Sequence, residues 1–148
     1  MSTSSTVQDI LVYKGATVYC VEPDATVQEA AQLMNRHRIG ALVVEEAGQI
    51  VGMFTERDVL RRVVVPRRDP ARTLVREVMT QPVTCCRPDT PLGDARTVFK
   101  DRRIRHLPVV DEARRVLGLI SIGDLNAHDA QTQEETIHYM RQYIYGRV

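Results

Sequence analysis

The sequence predicts an α+β fold (an α/β-type pair) in which one β-α-β-β-α unit occurs twice, the copies being related by a pseudo-twofold axis. Three observations support this prediction. The second half of the 148-residue chain repeats the first at an offset of about 65 residues. Within each copy, apolar residues alternate between strand spacing and helix spacing. A unit of roughly 60 residues buries only a modest core, so the two copies are expected to pack on each other.

The repeat is visible at individual aligned positions. The matched pairs are Pro23 with Pro88, Met34 with Phe99, Arg38 with Arg103 and, after one inserted residue, Gly52 with Gly118. A repeat of this length is longer than most solenoid units, and two copies do not make an array. The pattern therefore indicates two units that pack face to face and leave a cleft between them.

Each element of the first copy follows from a local signal. A helix is expected after Asp24 or Thr26, either of which can cap it. The apolar positions of this helix are Val27, Ala30, Ala31 and Met34. The other predicted elements are a strand at Thr17–Val21, a strand at Ala41–Val44, a turn at Glu45–Gln49 containing Gly48, a strand at Ile50–Phe54 and a helix at Glu56–Val65 that ends at Pro66.

The second copy repeats the plan. Its predicted elements are a strand around Val83, a helix at Pro91–Arg103 and strands at Leu107–Val110 and Val116–Ser121. Pro91 is expected in the first helical turn, where proline is tolerated. The predicted domains are a first repeat at 7–65, a charged linker at 66–73, a second repeat at 74–128 and a C-terminal helical tail at 129–148. An amphipathic helix at Gln131–Tyr145, which carries exposed tyrosines, is expected to contact another copy.

The composition narrows the class of function. A formal net charge of +1 disfavours nucleic acid as a partner, and there is no apolar run long enough to predict a membrane span. Met1–Thr6 has no secretion-signal profile. Cys20, Cys85 and Cys86 have neither disulfide nor zinc spacing, and Cys85 and Cys86 are expected to be buried small apolar residues, not a redox switch. We therefore expect a cytoplasmic protein that needs no metal and no cofactor.

One motif ends both copies. Gly52–Asp58 and Gly118–Asp124 are each an apolar run that ends in a hydroxyl residue, with an aspartate three positions later. This pattern predicts a strand that stops where a helix starts. Such a junction favours a phosphorylated sugar. An ordinary helix-capping box has the same spacing, so both interpretations remain open for one copy alone.

The ordered set of motifs resembles the cystathionine-beta-synthase (CBS) domain, and the whole chain resembles a stand-alone CBS pair, or Bateman module. The resemblance runs from about Val7 to Asn126. The stretches that carry it are Val18–Val21, Pro23–Val27, Ile39–Val44, Gly52–Asp58, Val78–Thr80, Pro82–Val83, Arg103–Val110 and Gly118–Leu125. The resemblance implies a flat homodimeric disc that binds an adenine nucleotide between repeats, with AMP favoured and ADP, ATP or NAD as alternatives. It also implies regulation of a separate protein partner, without enzymatic activity.

The resemblance assigns ribose and phosphate to Thr55 and Asp58 in one cleft and to Ser121 and Asp124 in the other. A carboxylate accepts hydrogen bonds only, whereas a ribose diol offers two donors, so one aspartate suits one ribose. The residues expected along the adenine slots are Val18, Cys20, Ile39, Gly40 and Ala41 in the first, and Thr80, Val83, Ile104, Arg105 and His106 in the second; Pro108 is a further candidate for ligand binding.

Basic residues distinguish the two clefts. Arg57 lies inside the first motif, where the second has Gly123. The further candidates for phosphate binding are Arg103, Arg105, His106 and Lys14. The sequence therefore predicts unequal clefts, with basic groups reaching the same phosphates from both copies. Arg61 and Arg62 are interpreted as the solvated face of a helix.

Two function classes remain open. The first is nucleotide sensing in the inter-repeat clefts. The second is a ligand-free structural or protein-interaction module, in which the aspartates of both motifs only cap helices. An enzyme is disfavoured because no nucleophile–base pair, metal set or phosphate-binding glycine loop is visible.

Overall fold

The computed structural model describes residues 5–131 and has the predicted mixed α+β fold. Its elements are α1 (Val7–Lys14), β1 (Cys20–Val21), α2 (Val27–His37), β2 (Ala41–Glu46), β3 (Gln49–Thr55), α3 (Glu56–Val59), α4 (Val75–Val78), α5 (Leu92–Arg102), β4 (His106–Val110) and β5 (Val116–Ser121). A π-helical segment, Leu60–Val64, continues α3. A final helix, α6, is described over 122–131. The tail helix predicted at Gln131–Tyr145 lies outside the described residues except for its first residue.

The first half forms a three-stranded sheet. β1 is parallel to β2, and β2 is antiparallel to β3. A two-residue turn joins β2 to β3, with Ala47 and Gly48 both at positive φ (54° and 79°), which is the turn that tight hairpins favour. The Thr26 side chain accepts a hydrogen bond from Glu29 N at 3.1 Å, so Thr26, not Asp24, caps α2.

The second half corrects two predictions. No strand forms around Val83, because the chain changes sheets there: Thr80 pairs with Met53 of the first sheet, whereas Cys86 pairs with Val109 of the second. The intervening residues cross between the sheets and pair with neither. Pro91 lies at the N-cap of α5, one position before the first turn. Its carbonyl accepts from Asp94 N and Ala95 N, at 3.0 and 3.1 Å, and its missing N–H costs nothing there.

The two halves exchange their leading helices. In α1, Val7 N donates to Thr90 O of the second half at 2.9 Å. In α4, Val75 N donates to Ala25 O of the first half at 2.8 Å. Neither helix was predicted, although Thr6 and the N3 residue of α1 form a capping box that the sequence displays. Each short helix thus completes the core of the opposite repeat.

The buried side chains form three clusters that follow this exchange. Val7, Ile10 and Leu11 of α1 join the core of the second repeat, which includes Leu107. The core of the first repeat, which includes Phe54, takes up side chains of α4 in the same way. A third cluster lies between the two sheets and contains Ala41, Val43, Ile50, Met53 and Val110. The halves are therefore one packed body.

The helix predicted at Glu56–Val65 forms, but it changes from α to π geometry. Val65 N donates to Leu60 O at 3.0 Å, five residues back. Asp58 in the α-helical part and Val63 in the π-helical part are both buried, at 5% and 1% exposure. Within residues 5–131, no helix has the length and apolar character needed to cross a membrane.

Candidate functional site

A cavity of about 460 Å³ lies between the start of α3 and the segment that joins α5 to β4. This volume is in the range of small-molecule sites. The cavity is lined by Gly40, Met53, Thr55, Glu56, Arg57, Asp58, Leu60, Arg61, Thr80, Pro82, Val83, Thr84, Arg103, Ile104, Arg105 and His106. Both repeats contribute to it, so the duplication itself builds the cavity.

Asp58 is the buried carboxylate of this cavity. Its Oδ2 accepts from Thr55 N at 3.0 Å, and Asp58 N donates to Thr55 Oγ1 at 3.3 Å, which completes a capping box. Thr80 Oγ1 donates to Asp58 Oδ1 at 2.9 Å. The capping interaction expected from the motif is therefore present. A carboxylate has about four acceptor positions, so Asp58 can cap α3 and still accept from a ligand.

Guanidinium groups surround the cavity. The four that line it belong to Arg57, Arg61, Arg103 and Arg105. None of them forms an ion pair with any residue in the described part of the chain. The carboxylates on the lining are Glu56 and Asp58, so the cavity carries an excess of positive charge.

His106 opens β4 and is paired with Ser121 across the hairpin. Burial lowers the pKa of His106 below its ordinary value of 6.5, and the nearby charge of Lys14 lowers it further. The carboxylates of Asp124 and Glu56 act in the opposite direction, and Arg105 adds to the lowering. His106 is therefore a neutral hydrogen-bonding group near pH 7.

The second motif forms a capping box of the same kind. Ser121 N donates to Asp124 Oδ2 at 2.8 Å, and Asp124 N donates to Ser121 Oγ at 3.1 Å. Lys14 Nζ contacts Asp124 Oδ2 at 2.7 Å and Leu119 O at 2.9 Å. None of these residues lines the cavity beside Asp58. Asp124 therefore lies outside the cavity beside Asp58, and its surroundings at Ser121 and Lys14 are called the second cleft below.

Several predicted site residues lie elsewhere. Val18 packs in the cluster between the sheets, and Ala41 and Pro108 are buried within strands. Cys20 is exposed, and its Sγ lies 3.6 Å from Glu45 Oε2. Burial of its sulfur and the adjacent Glu45 carboxylate raise the pKa of Cys20 to about 11, which makes the thiol a poor nucleophile. These four residues do not line the cavity.

The pKa values of the other two thiols are also raised. Burial raises the pKa of Cys86 to about 12, with a contribution from Cys85, and burial raises the pKa of Cys85 as well. Cys86 belongs to the core of the second repeat. Among the described residues, no group of three or more His, Cys, Asp or Glu side chains is placed to hold a metal ion.

Six lining residues were not identified from the sequence: Met53, Glu56, Leu60, Arg61, Pro82 and Thr84. Glu56 folds back over Gly40, whose missing side chain makes room for it; a Cβ there would lie 3.0 Å from Glu56 Cδ. Arg61 and Arg62 are exposed, as expected for the solvated face of a helix, but both also make contacts that were not expected. Arg61 lines the cavity, and Arg62 Nη1 donates to Met79 O at 2.7 Å. The position of these two residues beside the motif was the signal that could have identified them.

Comparison with known proteins gives a consistent result. The family model for the CBS domain matches residues 7–65 and 75–131. The chain is 39% identical to the CBS domain-containing protein YhcV of Bacillus subtilis over 121 residues, which cover 82% of this chain and 83% of that protein. It is 33% identical to the mitochondrial CBS domain-containing protein CBSX3 of Arabidopsis thaliana, covering 97% of this chain and 73% of that protein.

Solved structures agree with these relatives. A CBS-domain protein from Agrobacterium tumefaciens superposes with a TM-score of 0.79 at 35% identity, covering 84% of this chain and 99% of that one. A CBS domain pair solved in complex with 5′-methylthioadenosine and S-adenosyl-L-methionine superposes with a TM-score of 0.74 at 26% identity, covering 83% and 98%. The second of these proteins binds adenosine-containing ligands.

Proposed function

Because this chain belongs to the CBS domain family, we propose that it is a regulatory module that binds an adenine nucleotide in the cavity beside Asp58. AMP is the favoured ligand, with ADP, ATP or NAD as alternatives. A separate protein partner recognises the ligand-bound state. The observation that carries the proposal is that one cavity joins a buried carboxylate to four arginines without ion pairs. Catalysis is not part of the proposal.

The ribose is assigned to Asp58. Thr55 N, Thr55 Oγ1 and Thr80 Oγ1 already donate to its carboxylate, which leaves about one of its four acceptor positions, on Oδ1, for a ribose hydroxyl. Thr55 N and Thr80 Oγ1 fix the orientation of that carboxylate before any ligand arrives. A preorganised acceptor loses little conformational freedom on binding.

The phosphate is assigned to the arginines. Arg57 and Arg61 approach from the first repeat, and Arg103 and Arg105 from the second. Guanidinium groups bind phosphate oxygens through paired, charge-assisted hydrogen bonds. The positive excess favours an anionic nucleotide over neutral 5′-methylthioadenosine and cationic S-adenosyl-L-methionine. The adenine base is assigned to the apolar part of the lining at Met53, Val83 and Ile104.

The expected affinity is moderate. AMP has about 23 heavy atoms, and at about 0.3 kcal/mol per atom the binding free energy is about 7 kcal/mol. This corresponds to a Kd on the order of 10 μM, which suits the sensing of a cellular nucleotide. We further propose a cytoplasmic homodimer. The homodimer is supported by exposed apolar side chains at Val12, Tyr13, Val64 and Val65.

Calorimetric titration tests the proposal. AMP, ADP, ATP, NAD and S-adenosyl-L-methionine are titrated separately into the intact chain, and at least one anionic nucleotide is expected to bind while S-adenosyl-L-methionine does not. Asp58→Ala is expected to weaken binding by about 1.5–3 kcal/mol, or about 10- to 150-fold. Asp9→Ala is the matched control, because Asp9 also accepts from a capping residue, Thr6 N, but lies outside the cavity.

Arg57→Ala provides a second variant, since Arg57 is exposed and its loss leaves the capping box intact. It is expected to weaken nucleotide binding without changing the melting temperature. The alternative function is a ligand-free interaction module, which is supported by the hydrogen bonds that Asp58 already accepts from Thr55 and Thr80. A folded chain that binds none of the four nucleotides would establish this alternative.

A further inference from the structure

Each half has an equivalent pair of hydrogen-bond acceptors, a strand carbonyl and the motif aspartate, but the groups that donate to this pair differ between the halves. In the first half, Met53 O accepts from Thr80 N at 2.7 Å, and Asp58 Oδ1 accepts from Thr80 Oγ1 at 2.9 Å. Leu119 and Asp124 occupy the corresponding positions of the second repeat. Both accept from the ammonium of Lys14, at 2.9 Å and 2.7 Å. One lysine therefore does in the second half what a backbone N–H and a hydroxyl do in the first.

Because Lys14 replaces neutral donors in the second half, the two carboxylates differ in the charge of the groups around them. Asp58 is contacted by neutral groups, and its nearest cation is Arg62, whose Nε lies 3.8 Å away. Asp124 has an ammonium in direct contact. A neutral ribose hydroxyl that approaches Asp124 must compete with a charge-assisted hydrogen bond, which is roughly twice as strong as a neutral one. The ammonium also holds Leu119 O, so it is anchored at two points.

We infer that the Lys14 ammonium occupies the second cleft. By its contact with Asp124 it keeps that carboxylate from binding a ribose, and so limits the chain to one nucleotide. Lys14 is the last residue of α1, and α1 packs on the second repeat through Val7, Ile10 and Leu11. The exchange of leading helices between repeats is thus what carries the lysine into that cleft. The inference rests on the proposed function, because it concerns the same class of ligand.

Replacing Lys14 tests the inference. Lys14→Met keeps an unbranched side chain only one atom shorter and removes its charge, whereas Lys14→Arg keeps a charged donor. Lys100→Met is the matched control, because Lys100 is the only other lysine of the chain and lies exposed on α5. Each protein is titrated with AMP by calorimetry. Amide NMR shifts of 52–58 and 118–124 report which cleft fills.

The original chain and the Lys100→Met variant are expected to bind one AMP, with shifts confined to 52–58. Lys14→Met is expected to bind a second AMP, with at least tenfold higher affinity at 118–124 than the original chain. Adding Asp124→Asn to Lys14→Met is expected to remove that second site. Lys14→Arg is expected to keep a single site.

The outcomes separate the inference from the proposed function. Two bound AMP molecules in the original chain, or one in Lys14→Met at 52–58, would overturn the inference and leave the proposed function standing. Binding at 118–124 alone in Lys14→Met would support the inference and refute the assignment of nucleotide to Asp58. No binding to either cleft in any of the proteins would overturn both.

Discussion

The two halves of the chain share a framework and differ at their clefts. Leu42 and Leu107 hold equivalent positions, and both are completely buried. Where the clefts form, Ala41 of the first half corresponds to His106 of the second, and Lys14 takes the place of Thr80. The comparison shows that the buried framework is the same in both repeats. The charge around each aspartate depends on a few side chains that do not belong to this framework and differ between the repeats.

The largest expected effect tests whether the cores of the two repeats contribute equally to stability. Leu42→Ala and Leu107→Ala are each expected to lower the free energy of unfolding by about 2–5 kcal/mol, because each leaves a cavity in a core of the same construction. Urea denaturation monitored by circular dichroism measures both. The halves share a third cluster, so each variant is expected to unfold in one transition. Two separate transitions would show that the repeats are independent.

A smaller effect is expected at the glycines of the two motifs. A Cβ on Gly52 would lie 2.5 Å from Met79 Sδ and 3.2 Å from Thr80 O. The three atoms nearest a Cβ on Gly118 all belong to the Leu11 side chain, the nearest at 2.6 Å. Gly52→Ala is expected to cost about 1–3 kcal/mol, and Gly118→Ala less, because a side-chain end moves more easily than backbone. Thermal denaturation compares them. An equal loss would contradict the asymmetry.

The helix ends allow a change in the opposite direction. Arg38 and Arg103 end α2 and α5 at equivalent positions in left-handed backbone, with φ of 54° and 53°. Replacing either with glycine relieves the Cβ strain and is expected to stabilise the chain by up to about 1 kcal/mol. Only Arg103 lines the cavity, so only Arg103→Gly is expected to weaken AMP binding. Weakening by Arg38→Gly as well would contradict the assignment of the site.

The smallest effect is a pH dependence at His106. Its pKa is lowered in the folded chain, so between that value and the ordinary value of 6.5 the unfolded chain binds a proton that the folded chain does not. Stability is therefore expected to fall as pH drops below about 6.5. His106→Ala, which copies the first repeat, is expected to flatten this dependence. Urea denaturation at several pH values from 7.5 to 5.5 checks it; an unchanged slope in the variant would refute it.

Local signals predicted the framework well. The strand Val116–Ser121 forms with the predicted bounds, and Thr26 caps α2 as one of the two proposed residues. The segment around Val83 was predicted wrongly because its backbone partners lie on two different sheets, which no local pattern reports. The leading helices were missed because each is short and is stabilised mainly by the opposite repeat.

The candidate site was only partly predicted, because some of its contacts join residues that are far apart in the sequence. Asp58, Arg57 and Arg105 were identified from a motif, and all three line the cavity. The ion pair between Lys14 and Asp124 joins residues 110 positions apart, so only the packing of α1 on the second repeat reveals it. Side chains that reach a site from another element leave no signal in the spacing of the motif itself.

A crystal structure of the chain with AMP tests the central claim, the inequality of the clefts, most directly. The expected result is one AMP in the cavity beside Asp58, with its ribose on that carboxylate, its phosphate between Arg57 and Arg105, and the Lys14–Asp124 ion pair intact. Two bound AMP molecules, one against Asp58 and one against Ser121 and Asp124, would contradict the claim.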